Sequence, residues 1–162
     1  MQTKETRMDI CVLSGGRHPY EQSTPVLESF LTRAGHSVTV SENSAVLADE
    51  EMIDKYEVLV FNTLREGETA LSPDEQVGLK NFVDSGRGFV CIHISGCEPD
   101  TWSEYSEITG GGWVMEKSFH PPYGQFRVNV VRNGNPAVNG ISDFVTNDEL
   151  YMGLELRDGN EV

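Results

Sequence analysis

The sequence predicts an α/β protein: a three-layer, doubly wound and mainly parallel sheet with helices on both faces. Three observations carry that expectation. Short apolar runs without polar alternation occur at residues 10–13 (ICVL), 58–61 (VLVF) and 89–92 (FVCI), as in strands covered on both faces. Between them lie segments with helical apolar spacing and start signals, residues 24–35 and 72–86. Strands and helices that alternate at this length require crossover connections, which are right-handed and place successive strands parallel.

The elements follow in order. Residues 10–13 form a first buried strand, broken by Ser14, Gly15 and Gly16, and the loop Arg17, His18, Pro19, Tyr20 comes next. Thr24 reads as an N-cap with Pro25 at the first helical position, and Val26, Leu27, Phe30, Leu31 and Ala34 recur at helical spacing until Gly35. Residues 36–40 alternate into a second strand, residues 49–55 make a short acidic helix, and residues 58–61 form a third buried strand ending at Asn62. Ser72, Pro73, Asp74 and Glu75 have the pattern of a capping box, and Leu79, Phe82 and Val83 supply the buried stripe that follows. The run at 89–92 reads as a central strand, with His93 where it ends and Ser95-Gly96 turning the chain. Residues 98–108, with Trp102, Tyr105 and Ile108, read as a short helix closed by Gly110-Gly111-Gly112. Phe126, Val128 and Val130 alternate as a half-exposed strand, residues 133–136 (NGNP) form a turn, residues 144–150 carry Asp148 and Glu149, and residues 151–156 read as one more strand.

At 162 residues the chain reads as one domain, residues 1–162, with no internal repeat, low-complexity tract or linker. Its 26 acidic against 12 basic residues give a formal net charge of −14, which repels nucleic-acid phosphates and anionic membrane surfaces and favours a small neutral or polyol-like ligand. Three cysteines, Cys11, Cys91 and Cys97, are an odd number, two of them inside or beside predicted core strands as small hydrophobes are, and residues 1–9 lack the apolar core of a signal peptide. A soluble, cytoplasmic protein is the expectation.

Polar side chains at the carboxyl edge of a doubly wound sheet face the crevice where such folds bind ligands. His18 and His93, 75 positions apart, belong to loops after the first and fourth strands, and His120 sits in a Pro- and Gly-rich loop. His36, after a helix C-terminus, reads as a cap for helix carbonyls. Two chemistries suit the other three. With a carboxylate they would hold a divalent metal. Without one, His93 or His120 would act as general acid or base, with Asp148 or Glu149 orienting it or taking a proton. Catalytic candidates are therefore His93, His120 and Glu149. Candidates for ligand binding are Gly16, whose neighbourhood presents backbone N–H groups, with His18, Ser95, Trp113, Tyr123, Asp148 and Tyr151. Trp113, Tyr123 and Tyr151 offer rings that stack on a sugar, whereas Trp102 and Tyr105 read as core.

The order of these pieces resembles the trehalose-utilisation (ThuA-like) family of the class I glutamine amidotransferase-like superfamily. The matching segments are residues 16–18 (GRH), 24–36 (TPVLESFLTRAGH), 88–96 (GFVCIHISG), 104–113 with its Gly-Gly-Trp, 119–121 (FHP) and 148–151 (DELY). The resemblance implies a flavodoxin-like sheet and a place in the metabolism of trehalose or related disaccharides. Two departures qualify it. In amidotransferases a cysteine nucleophile occupies the sharp turn where this chain has His93, and Cys97 comes four residues too late to replace it. Family members usually continue through further strands beyond the position matching Val162, so the expectation is either a C-terminally shortened domain or a chain lacking part of the fold, with a second copy covering an exposed sheet edge. Two functional classes remain open: an enzyme acting on a trehalose-like or keto-sugar ligand, and a non-catalytic binding or scaffolding domain.

Overall fold

The computed structural model describes residues 6–99, 101–131 and 134–161. They form two compact units, residues 1–109 and 110–162.

The first unit is a parallel sheet of four strands in the order β2-β1-β3-β4. Strand β1 (Asp9–Gly16) is followed by helix α1 (Tyr20–Arg33), β2 (Ser37–Ser41), the short helix α2 (Glu50–Ile53), β3 (Val58–Leu64), helix α3 (Pro73–Asp84), β4 (Gly88–Cys91) and helix α4 (Tyr105–Thr109). The doubly wound, mainly parallel α/β sheet is thus observed. Alternate side chains of β1 and β3 divide between two cores. Ile10, Val12 and Val60 face Leu27 and Leu31 of α1, while Cys11, Leu13, Leu59 and Phe61 face Ile53, Leu79, Phe82 and Tyr105 from α2, α3 and α4. Period-two alternation of strand side chains explains this division, since both faces are apolar and both carry helices.

Several boundaries depart from the sequence expectations. Helix α1 starts at Tyr20 rather than at Thr24, so Pro25 lies inside it. Thr24 is buried and its hydroxyl meets Ser14 Oγ at 2.6 Å and Asn62 Nδ2 at 3.1 Å, so the residue ties helix to strand instead of capping. Strand β3 continues past Asn62 to Leu64, because Asn62 and Thr63 find buried partners and so pass through the core. The strand expected to be central, β4, is the edge of the described sheet, with Val90 46% exposed. Its apolar run reflects one covered face and one open one. The helix expected over 98–108 is confined to Tyr105–Thr109. By contrast, the capping box at α3 forms as expected, with Glu75 N–H donating to Ser72 Oγ and Ser72 N–H donating to Glu75 Oε2. His36 does not cap helix carbonyls through its ring: Nδ1 accepts from the backbone N–H of Met8 at 3.3 Å.

The second unit contains two antiparallel pairs, β5 (Gly111–Gly112) with β8 (Glu155–Leu156) and β6 (Gly124–Val128) with β7 (Phe144–Asp148). The strand expected over 151–156 is reduced to β8 and a single bridge between Phe119 and Met152. Of the turn expected at 133–136, Asn133 lies outside the described residues, and Pro136–Val138 forms one 3-10 turn capped by Asn135. Among the described residues no helix is long and apolar enough to cross a membrane.

Candidate functional site

Two clusters of the sequence-predicted residues form, one in each unit.

In the first unit the cluster stands at the carboxyl ends of β1, β3 and β4. Strand β1 ends on Gly15 and Gly16, both with positive φ, +93° and +84°. Gly16 is required there, since a Cβ would lie 2.1 Å from the Leu64 carbonyl oxygen across the β1–β3 ladder. Its lack of a side chain lets the two strands stay paired while the chain turns to His18. At the end of β4, His93 adopts φ +54°, a left-handed conformation uncommon for a residue with a Cβ. This sharp elbow turns the imidazole back to His18, and the two rings meet edge to face with centroids 5.4 Å apart. The predicted meeting of the loops after the first and fourth strands is therefore present.

Ser95, a ligand-binding candidate from the sequence, turns inward. It is buried, donates from Oγ to the Phe61 carbonyl at 2.8 Å and accepts from the Thr63 N–H at 2.9 Å. The hydroxyl takes over the hydrogen bonding of β3 beyond the point where β4 turns away, which clamps the His93 turn to the sheet. Tyr105 fastens the same turn from the other side, donating to the Ser95 carbonyl at 2.7 Å, and burial pushes its phenol well above the ordinary value. Arg65 was not singled out by the sequence. Its buried guanidinium donates from Nη2 to the carbonyls of Ser14 and Glu42 at 2.6 and 2.7 Å, joining the ends of β1 and β2. Burial lowers its pKa, opposed by the Glu75 and Glu42 carboxylates. A lone arginine following an apolar strand in so acidic a chain was the available signal.

The cysteines are poor nucleophiles. Burial pushes Cys11, Cys91 and Cys97 from the usual 9.0 up to about 11, and the Glu66 carboxylate adds to the rise at Cys97. All three therefore remain thiols near neutral pH.

In the second unit the antiparallel bridge between Phe119 and Met152, held by N–H to carbonyl bonds of 3.0 and 2.8 Å, brings the next residues, His120 and Tyr151, side by side. Their rings stack at 28° with centroids 5.9 Å apart. Trp113 completes the cluster, 4.9 Å from Tyr151 and 6.1 Å from His120. Buried Ser118 holds the intervening turn, accepting from the Val114 N–H and donating to the Gly153 carbonyl, both at 2.9 Å. Nothing in the sequence distinguishes this serine.

His120 Nδ1 lies 2.9 Å from the Pro121 carbonyl, which can only accept, so Nδ1 carries the proton in the neutral ring. Nε2 is then the basic nitrogen, and it lies 4.0 Å from Glu149 Oε1. The expected pairing of His120 with an acidic partner thus selects Glu149. Asp148 is exposed, with Oδ1 accepting from the Glu149 N–H at 2.8 Å. Tyr123 is also exposed, and its hydroxyl donates to the Asn147 carbonyl across the β6–β7 pair. Neither belongs to the ring cluster. Among the described residues, no three His, Cys, Asp or Glu side chains are grouped so as to hold a metal ion.

A parallel sheet flanked by helices, with a left-handed turn at His93 after β4, defines a flavodoxin-like α/β protein. Residues 9–162 match the family ThuA, trehalose utilisation, and the chain belongs to that family. Its fold is similar to the crystal structure of a ThuA-like protein from Bacteroides uniformis ATCC 8492, with a TM-score of 0.69 and 16% sequence identity over 93% of this chain. The chain spans 63% of the length of that structure. No curated protein matches the sequence.

Proposed function

We propose that the protein acts on a small carbohydrate, a trehalose-like disaccharide or its keto derivative, at the cluster formed by Trp113, His120, Glu149 and Tyr151. The observation that carries this reading is the convergence of three rings beside a histidine–carboxylate pair. Sugar rings present C–H faces that stack on aromatic side chains, and the hydroxyl and carbonyl groups around them need proton donors and acceptors. Neutral His120 takes a proton on Nε2, and Glu149 stabilises the imidazolium so formed. The same pair, run in reverse, returns a proton to a leaving or enolic oxygen. The net charge of −14 agrees with a neutral ligand, and membership of the trehalose-utilisation family supports the substrate class.

Tryptophan fluorescence titration with trehalose and 3-keto-disaccharides, followed by incubation and product analysis, tests the proposal. Binding should weaken at least about tenfold in Trp113→Ala, consistent with the worth of a ring stack plus its buried area. His120→Gln should keep most of the binding and lose turnover. Absence of both binding and turnover in the wild type would refute the reading. Binding without turnover would favour a non-catalytic ligand-binding domain, a reading favoured by the replacement of the elbow nucleophile with His93.

A further inference from the structure

We propose that β4 is an interface with a second copy of this chain. The two β4 strands pair antiparallel about a two-fold axis at Val90 and join the two four-stranded sheets into one. The pairing stands or falls independently of the carbohydrate cluster proposed above.

The backbone is the first argument. Gly88 and Ile92 donate their N–H groups to the carbonyls of Glu57 and Phe61, both at 3.0 Å, on the β3 side. Backbone direction alternates along a strand, so the N–H and C=O groups of Phe89 and Cys91 point away from β3. Among the described residues no strand pairs with that edge. Sheets commonly block an open edge with charge or proline, and β4 carries neither: residues 88–97 (GFVCIHISGC) contain no Asp, Glu, Lys, Arg or Pro. The edge also complements itself. With Val90 opposite Val90 of the second copy, Phe89 faces Cys91, and each such pair exchanges both N–H to carbonyl bonds.

The side chains beside the edge are the second argument. Phe89 and Cys91 pack into the core on the side of α3, whereas Ile92 packs on the side of α1. Val90 alternates with Phe89 and Cys91 and therefore stands on the α1 face, where it is 46% exposed. The rotation of α1 is set by Ser23, whose Oγ accepts from Asn62 Nδ2 of β3 at 2.8 Å. Helical spacing puts Val26 and Phe30 on that same β3 side, and they are 62% and 47% exposed. The flank of the open edge is thus apolar on both strand and helix.

Charge selects the occupant. Two chains of net charge −14 repel wherever their carboxylates face one another, so copies associate only through a surface that carries none. The strip formed by β4, Val26 and Phe30 is such a surface. Glu21 and Glu28 fall on the opposite side of α1, toward β2, so the other edge of the sheet lies beside like charge. One short strand pair with its flanking side chains is at the small end of specific interfaces, which sets the dissociation constant on the order of 10 µM.

Analytical ultracentrifugation of the full chain, from about 1 µM to about 1 mM, tests the assignment. A monomer–dimer equilibrium should appear and tighten at least about threefold as sodium chloride rises from about 20 to about 500 mM, because salt screens the repulsion between acidic surfaces. Val90→Lys and Val90→Glu each bring like charges together on the axis and should weaken the dimer at least about tenfold, while an equimolar mixture of the two should restore it. Thr39→Lys, on the exposed β2 edge, should dimerise as the wild type does. Hydrogen exchange of the wild type needs no variant to fold: raising its concentration should slow the Phe89 and Cys91 amides more than those of Gly88, Val90 and Ile92. The assignment is overturned if the wild type stays monomeric at about 1 mM, which would give the edge to a different polypeptide. It is equally overturned if a folded Val90→Lys dimerises like the wild type, if the mixed variants associate no better than either alone, if Thr39→Lys is as damaging as Val90→Lys, or if exchange at Phe89 and Cys91 is independent of concentration.

Discussion

Replacing Ser95 by alanine removes one oxygen atom from the protein and separates two explanations of this residue, a ligand contact and a clamp on the elbow. Its hydroxyl serves two backbone groups of β3, and the consequences for them differ. The Phe61 carbonyl keeps a second donor, the Ile92 N–H at 3.0 Å, so its loss is about 1 kcal/mol, the net worth of an ordinary hydrogen bond. The Thr63 N–H is left without the Ser95 partner in a residue only 2% exposed, at a cost of about 1–3 kcal/mol. The vacated space is about one atom, too small to admit a compensating water. Together the variant should lose about 2–4 kcal/mol. Urea unfolding followed by circular dichroism measures the loss, and hydrogen exchange should show Thr63 as the amide whose protection falls most. A change below about 0.5 kcal/mol, accompanied by weakened carbohydrate binding, would refute the clamp and return Ser95 to a ligand contact.

Other expectations follow from the same structure. Gly16→Ala places a Cβ 2.1 Å from the Leu64 carbonyl oxygen at φ +84°, so the left-handed penalty of about 1–2 kcal/mol adds to a backbone clash, and unfolding should show a loss of at least about 2 kcal/mol. Ser72→Ala removes the serine side of the capping box and should cost about 1 kcal/mol in the same assay. At pH 7.5 a thiol of pKa about 11 is ionised to about one part in 3,000, against about one in 30 for a cysteine at the usual 9.0. The greater nucleophilicity of the more basic thiolate recovers just under tenfold, so iodoacetamide should label all three cysteines at least about 10-fold more slowly than a free thiol, as followed by mass spectrometry. These shifts also link stability to pH. Between about pH 9 and 11 the unfolded chain gives up thiol protons that the folded chain retains, so stability falls as pH rises through that window and is not affected by these groups below it. Unfolding midpoints measured from pH 8 to 11 on wild type and Cys91→Ala should show a smaller decline in the variant.

The sequence by itself determined the architecture of the first unit. Apolar runs at β1, β3 and β4, the capping box at α3 and glycine punctuation are local signals, because period, caps and turns depend on neighbours a few residues away. The same locality explains why Thr24-Pro25 misled: a buried hydroxyl bonded to Ser14 and Asn62 has the composition of an N-cap and only tertiary contact distinguishes them. The identity of the histidines as candidates was likewise legible, since they stand beside strand ends and in loops. Which of them meet was decided by the fold. The β2-β1-β3-β4 order brings the loops carrying His18 and His93 to one edge, and the Phe119–Met152 bridge places His120 beside Tyr151 and within reach of Glu149. The inward turn of Ser95, the burial of Arg65 and the edge position of β4 were also beyond the sequence. Each depends on which strand lies alongside another, a non-local outcome that no window along the chain contains.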